Sequence, residues 1–125
     1  SLTLAILKPG AVGARKAGKI LAHLEAAGFH VRALKLLSLS KEQAGAFYAV
    51  HRERGFYAEL VEFMTSGPVI PMVLEADDAE AAPGTVRKLF AESKGRNAIH
   101  ASDSDENAKG EIAFFFSEYD RIAVR

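Results

Sequence analysis

The sequence predicts an α/β (α+β) fold, a four-stranded antiparallel sheet with helices packed on it, and three observations carry the prediction. Short apolar runs alternate with amphipathic stretches in the order strand, helix, strand, helical pair, strand, irregular segment, strand. Gly, Pro, Asn and Ser cluster at the boundaries between them, where turn geometry needs them. The chain of 125 residues, 49% hydrophobic and 26% charged, is long enough to bury a sizeable core and reads as a single domain over 1–125.

Leu2 to Leu7 is the first strand: a short, largely apolar run ended by Lys8-Pro9-Gly10. From Lys16 to Ala27 the apolar residues Ala17, Ile20, Leu21, Leu24 and Ala27 recur at helical spacing, and Gly28 stands where a helix C-cap belongs. Phe29 to Leu39 alternates Phe29, Val31 and Ala33 against His30 and Arg32, which predicts a second strand with one wetter face. Ser40 followed by Gln43 is a capping-box pattern that opens a helix containing Ala44, Phe47 and Tyr48, and a further short helix covers Tyr57 to Met64.

Ser66-Gly67-Pro68 precedes a third strand, Val69 to Leu74, and Pro71 within it predicts an edge or a bulge because proline cannot donate to a ladder. Thr85 to Ala91 is a short helix, Glu92 to Asp105 is rich in turn residues, and the apolar run Ile112 to Phe116 is the fourth strand. This order fits a split βαβ, ferredoxin-like sheet with helices on one face.

Lys plus Arg and Asp plus Glu number 16 each, so no global field draws the chain to nucleic acid or an anionic membrane. Any anion site has to be local. A sheet-face RNA binder would need a basic surface, which this balance lacks. The absence of cysteine excludes a disulfide framework, a thiol nucleophile and a Cys-ligated zinc site. The apolar N-terminal run is too short for a signal-peptide core or a membrane span, and the protein is read as cytoplasmic. A metal site from His23, His30, His51 and His100 has little support, since no pair has helical ligand spacing.

The stretch Gly95 to Ser104 puts one imidazole, His100, in a turn-rich segment with an amide, hydroxyls and carboxylates near it. The surrounding motifs, NAIHASDS, the early LAILKPGAV, FYAVHRERGFYAELVEFMTSGPV and APGTVR, occur in that family's order over nearly the whole chain, which resembles the nucleoside diphosphate kinases. The resemblance implies a ping-pong reaction in which a nucleoside triphosphate gives its γ-phosphate to His100 and a nucleoside diphosphate collects it. It also implies that Lys8, Arg87 and Asn97 meet the phosphates and sugar, that Tyr48 lies beside the histidine, and that Phe56 stacks on the base. Stacking uses the face common to all bases, so specificity should be broad. Ser102 and Glu111 match the residues that orient the histidine. Mg²⁺ is expected to arrive with the nucleotide phosphates, so Asp77, Asp78, Asp103 and Asp105 need not be ligands and no protein metal site is expected.

The chain departs from the family pattern after Glu75, where ADDAEA stands in place of a longer segment, most of a helix and the beginning of a long loop. The missing piece normally supplies an arginine and a threonine to the phosphates, each such donor being worth about 1.5–3 kcal/mol. The long loop usually helps build trimers within hexamers, so a homo-oligomer is expected with a dimer ahead of a tetramer. The alternative function is a nucleotide-binding module of the same fold with weak or lost transfer. Ala14-Arg15 replaces the family's usual Arg-Gly, and Gly10 its usual Asp.

Overall fold

The structure, a computed structural model, describes residues 2–75 and 99–117. Strand β1 (Leu2–Leu7) is followed by a short helix α1 (Pro9–Gly13) and the longer α2 (Ala17–Ala26). Strand β2 (His30–Leu34), helices α3 (Lys41–Phe47) and α4 (Tyr57–Met64), and strand β3 (Ile70–Glu75) come next. Strand β4 (Ile99–Ala101) and helix α5 (Asp105–Phe115) complete the described elements. The strands form one antiparallel sheet in the order β2-β3-β1-β4.

β1 is an inner strand, which explains its nearly unbroken apolar run: both of its faces are covered. Ala5 and Leu7, with Met72 and Leu74 of β3, pack against Ile20 and Leu24 of α2. Leu4 and Ile6, with Val73, pack against Ala44 of α3, Met64 of α4 and Ile112 of α5. Helices therefore cover both faces, not one. The apolar stripes of α3, α4 and α5 need a second surface, and full burial of a Leu, Ile or Met is worth about 1.5–3 kcal/mol each. Among the described residues no helix is long and apolar enough to cross a membrane.

Three local expectations are corrected. The apolar run Ile112–Phe116 is not a strand: it belongs to α5 up to Phe115, and the fourth strand is Ile99–Ala101. A short apolar run has no period of its own. What decides it is upstream: Ser104 Oγ accepts from the Asn107 backbone N–H (3.1 Å), Asp105 and Glu106 occupy the first turn, and Ala108, Ile112 and Phe115 recur on one buried stripe.

Pro71 lies in an inner strand, between β2 and β1. Its carbonyl accepts from Lys35 N (3.1 Å), so its missing donor faces the chain just beyond the end of β2, where the ladder has already thinned. The second strand is shorter than the expected Phe29–Leu39. After Leu34 the pairing continues only as the Lys35–Pro71 bond and the isolated Leu37–Val69 bridge. A register shift between Val31 and Ala33 makes Arg32 an extra residue; Val31 then packs on the α2 face and Ala33 on the other.

Two helices close with the same bonds and different residues. After α2, Gly28 N donates to Glu25 O (3.0 Å) and Phe29 N to Leu24 O (3.2 Å), with Gly28 at φ 98°. After α1, Arg15 N donates to Val12 O (3.1 Å) and Lys16 N to Ala11 O (3.0 Å), with Arg15 at φ 61°. Both are Schellman closures, which place one residue in the left-handed region. Glycine meets that demand without strain, whereas arginine brings a Cβ that crowds its own backbone. Arg15→Gly is therefore expected to stabilise the fold by about 1 kcal/mol after the added freedom of the unfolded chain is discounted. The check is a higher urea midpoint at unchanged m-value; an unchanged or lowered midpoint contradicts it.

Candidate active site

His100 is the middle residue of β4, not part of a loop, and strand alternation sets its direction. Ile99 and Ala101 face α2, so the imidazole stands on the opposite face, across from Ile6 of β1 and among α3 and α5. Its side chain keeps 22% of its surface exposed, enough for access from one side. Nε2 lies 3.1 Å from Glu111 Oε1. A carboxylate only accepts, so Nε2 carries the hydrogen and Nδ1 is left with the in-plane lone pair.

The same Glu111 oxygen accepts a second bond, from Ser102 Oγ at 2.8 Å. Ser102 is buried and tied to β1 through its backbone N–H to Leu4 O (2.9 Å), while its Oγ accepts from Leu4 N (3.2 Å). The carboxylate is therefore held by a hydroxyl fixed to the sheet, and the imidazole is held by the carboxylate. Glu111 reaches this position because Ala108, Glu111, Ile112 and Phe115 share one stripe of α5, with the three apolar residues seated in the core. The N-terminus of α5 is secured beside β4 by the Ser104 cap and by Asn107 Nδ2 donating to Asp103 Oδ1 (2.6 Å).

Aromatic rings form the wall behind the imidazole. The capping box of Ser40 and Gln43 starts α3 so that Phe47 ends it and Tyr48 caps it. Both rings meet His100 edge-on, Phe47 with centroids 5.4 Å apart and Tyr48 at 5.9 Å. His51 stacks on Tyr48 (6.4 Å) and lies 5.4 Å from Phe56, so a row of rings runs from His100 out to Phe56, whose surface is 48% exposed. Lys8 follows β1 with extended backbone (φ −79°, ψ 161°), which keeps it in phase with Leu4 and Ile6 on the His100 face.

Tyr48, His100, Ser102 and Glu111 are thus gathered in one place, with Lys8 at the end of the adjoining strand. Arg87 and Asn97 lie outside the described residues, as do Asp77, Asp78 and the expected Thr85–Ala91 helix. The sequence reading overlooked Phe47 and His51 as neighbours of the imidazole. The signal was present: Phe47 adjoins Tyr48, and His51 is one helical turn beyond Phe47.

The Tyr48 hydroxyl is buried and has no hydrogen-bond partner among the described residues. Burial first, and the nearby Glu111 carboxylate second, push its pKa well above the usual tyrosine value of 10.0. The folded state therefore keeps the phenol protonated at a pH where the unfolded chain loses its proton. Stability from this group is complete below the unfolded pKa and is lost as pH rises above it. Tyr48→Phe is expected to unfold no more readily than the parent at pH 7 and to lose less stability between pH 9 and pH 11. Parallel melting curves across that window would contradict this.

A family model described as "Nucleoside diphosphate kinase" matches residues 1–121. The nucleoside diphosphate kinase of Chlorobium chlorochromatii (strain CaD3) is 56% identical over 129 residues, covering 92% of this chain and 92% of the relative. That of Chlorobaculum parvum is 52% identical over 136 residues, covering 98% and 97%. An orthorhombic crystal form of the Aquifex aeolicus nucleoside diphosphate kinase superposes with a TM-score of 0.81 at 45% identity, covering 97% of this chain and 98% of that one. Alignments of 129 and 136 positions exceed the 125 residues present, so both relatives carry residues that this chain lacks.

Proposed function

We propose, because this chain belongs to the nucleoside diphosphate kinase family, that it moves the γ-phosphoryl group of a nucleoside triphosphate to a nucleoside diphosphate through His100. The Nδ1 lone pair attacks the γ-phosphorus as the bond to the β–γ bridging oxygen breaks, and that electron pair leaves with the nucleoside diphosphate. A β-phosphate oxygen of the acceptor then attacks the same phosphorus, and the N–P electron pair returns to Nδ1. Two similar displacements replace one between two highly charged nucleotides.

The observation that supports this reading most is the convergence of Ser102 Oγ and His100 Nε2 on one oxygen of Glu111. It holds the proton on Nε2 throughout, so neither displacement has to wait for a proton to cross the ring. Lys8, Arg87 and Asn97 are assigned to the phosphates and sugar, Tyr48 to the wall beside the transferred group, and Phe56 to the base. Mg²⁺ enters as part of the nucleotide complex and neutralises phosphate charge there. The half-exposed ring of Phe56 offers a π-face with no base-specific donor, which favours broad nucleoside tolerance.

The enzyme is assigned to the cytoplasm and to a single domain that forms a homo-oligomer, a dimer ahead of a tetramer. The outer position of β2 in the sheet, with Leu34 at its end and Leu36 just beyond it both exposed, supports association. Sedimentation as a monomer would remove that part. The decisive experiment is incubation with γ-labelled ATP and Mg²⁺. Label should appear on the protein with the acid-labile, alkali-stable behaviour of a phosphohistidine, and should leave when a nucleoside diphosphate is added. A protein that takes up no label overturns the reading.

A further inference from the structure

Helix α5 lies on the His100 face of the sheet, and contacts from opposite edges of the sheet hold its C-terminal half. At the β4 edge, Glu111 bonds His100 and Ser102. At the β2 edge, Lys35, the residue after β2, donates from Nζ to Phe115 O at 2.7 Å and sits 4.9 Å from the centroid of the Phe116 ring. The β2 and β4 strands are the two outer strands of the sheet, so this contact lies across the whole sheet from the histidine.

Phe115 is the last residue of α5, and the final carbonyls of a helix have no partner within it. A cation there satisfies one of them and opposes the negative end of the helix dipole. The backbone of Lys35 is itself fixed by donation to Pro71 O (3.1 Å), so the ammonium is mounted on a rigid strand end. Phe115 is also one turn beyond Glu111. A shift of the last turn therefore moves the carboxylate that orients the imidazole, and a bonded pair at 3.1 Å tolerates only a fraction of an ångström.

We infer that Lys35 is a positioning residue for His100: by clamping the C-terminus of α5 it fixes the Glu111 carboxylate and, through it, the imidazole tautomer. The kinetic half of this inference rests on the phosphotransfer reading above; the structural half does not. Phe115 and Phe116 are buried and anchor the helix apolar-side down. The directional bond from Lys35 adds a polar constraint at the helix end to that packing.

The test compares the parent with Lys35→Met, Lys35→Gln and Lys35→Arg. Imidazole ¹⁵N shifts read the His100 tautomer directly, without any activity. The parent should hold His100 in the Nε2–H form. Lys35→Met should admit the Nδ1–H form and lower kcat about tenfold, with KM changed less than about twofold. Lys35→Arg, which keeps a charged donor, should retain the parent tautomer and most of the rate, with Lys35→Gln between them. If all three variants keep the parent tautomer and kcat, even with lowered melting temperature, Lys35 only supports the fold and the inference is overturned. A parent that takes up no phosphoryl label fails the phosphotransfer reading while leaving the tautomer comparison in force.

Discussion

Replacement of His100 by alanine is expected to lower phosphoryl transfer between nucleotides by on the order of 10⁴-fold or more, since the variant has no atom to carry the group. The neighbours cannot substitute. Glu111 is bonded to Ser102, Tyr48 is an unionised phenol at neutral pH, and neither presents a nucleophile where the imidazole stood. The fold should survive, because His100 adds no apolar core contact that alanine in a strand cannot leave to Phe47 and Tyr48. Nucleotide affinity should therefore persist while label uptake vanishes. Free imidazole added to the variant should recover part of the transfer, because the vacated space retains its aromatic walls. Unimpaired transfer by the alanine variant would move the nucleophile elsewhere in the chain.

Glu111→Ala is expected to cost about 10²-fold in rate, by two routes that a pair of variants separates. Without the carboxylate, the imidazole is free to rotate and to place its proton on either nitrogen, and the buried Ser102 hydroxyl loses the acceptor at 2.8 Å. Leaving a buried hydroxyl without that acceptor costs about 1–3 kcal/mol of stability. Both bonds end on the same oxygen, so Glu111→Gln can keep an oxygen at that place and preserve the geometry while removing the charge. The glutamine variant should accordingly retain much more activity and stability than the alanine variant. Equal loss in both would mean that the charge, rather than the orientation, is what the carboxylate contributes.

Much of the framework could be read from local chemistry. β1 followed from its apolar run and the Pro9-Gly10 stop, α2 from its spacing and Gly28, α3 from the Ser40–Gln43 box and α4 from Tyr57 to Met64. Each is decided by residues within a turn or two of one another, and such rules need no knowledge of distant partners. The family followed from motifs whose order and spacing span nearly the whole chain.

The errors share one cause. Ile112–Phe116 reads as a strand because an apolar run of that length suits a buried strand and a buried helix equally, and the helix that starts at the Ser104 cap is seen to run through it only when Ile112 and Phe115 are seated in the core. Pro71 reads as an edge or a bulge because sequence does not say on which side its absent donor falls. The Arg32 bulge, which turns Val31 and Ala33 to opposite faces, likewise exists only against the register of β3.

The sequence alone therefore determined the family of this chain, and it singled out His100, Ser102 and Glu111, which stand close together in the stretch His100–Glu111. Tertiary structure decided how they act. A three-residue strand has no facing of its own until β1 pairs with it, and only that pairing, with α5 laid across the sheet, brings one Glu111 oxygen within reach of both Ser102 and His100. Hydrogen bonds are directional over a few ångströms, and that precision resides in packed elements rather than in the order of residues.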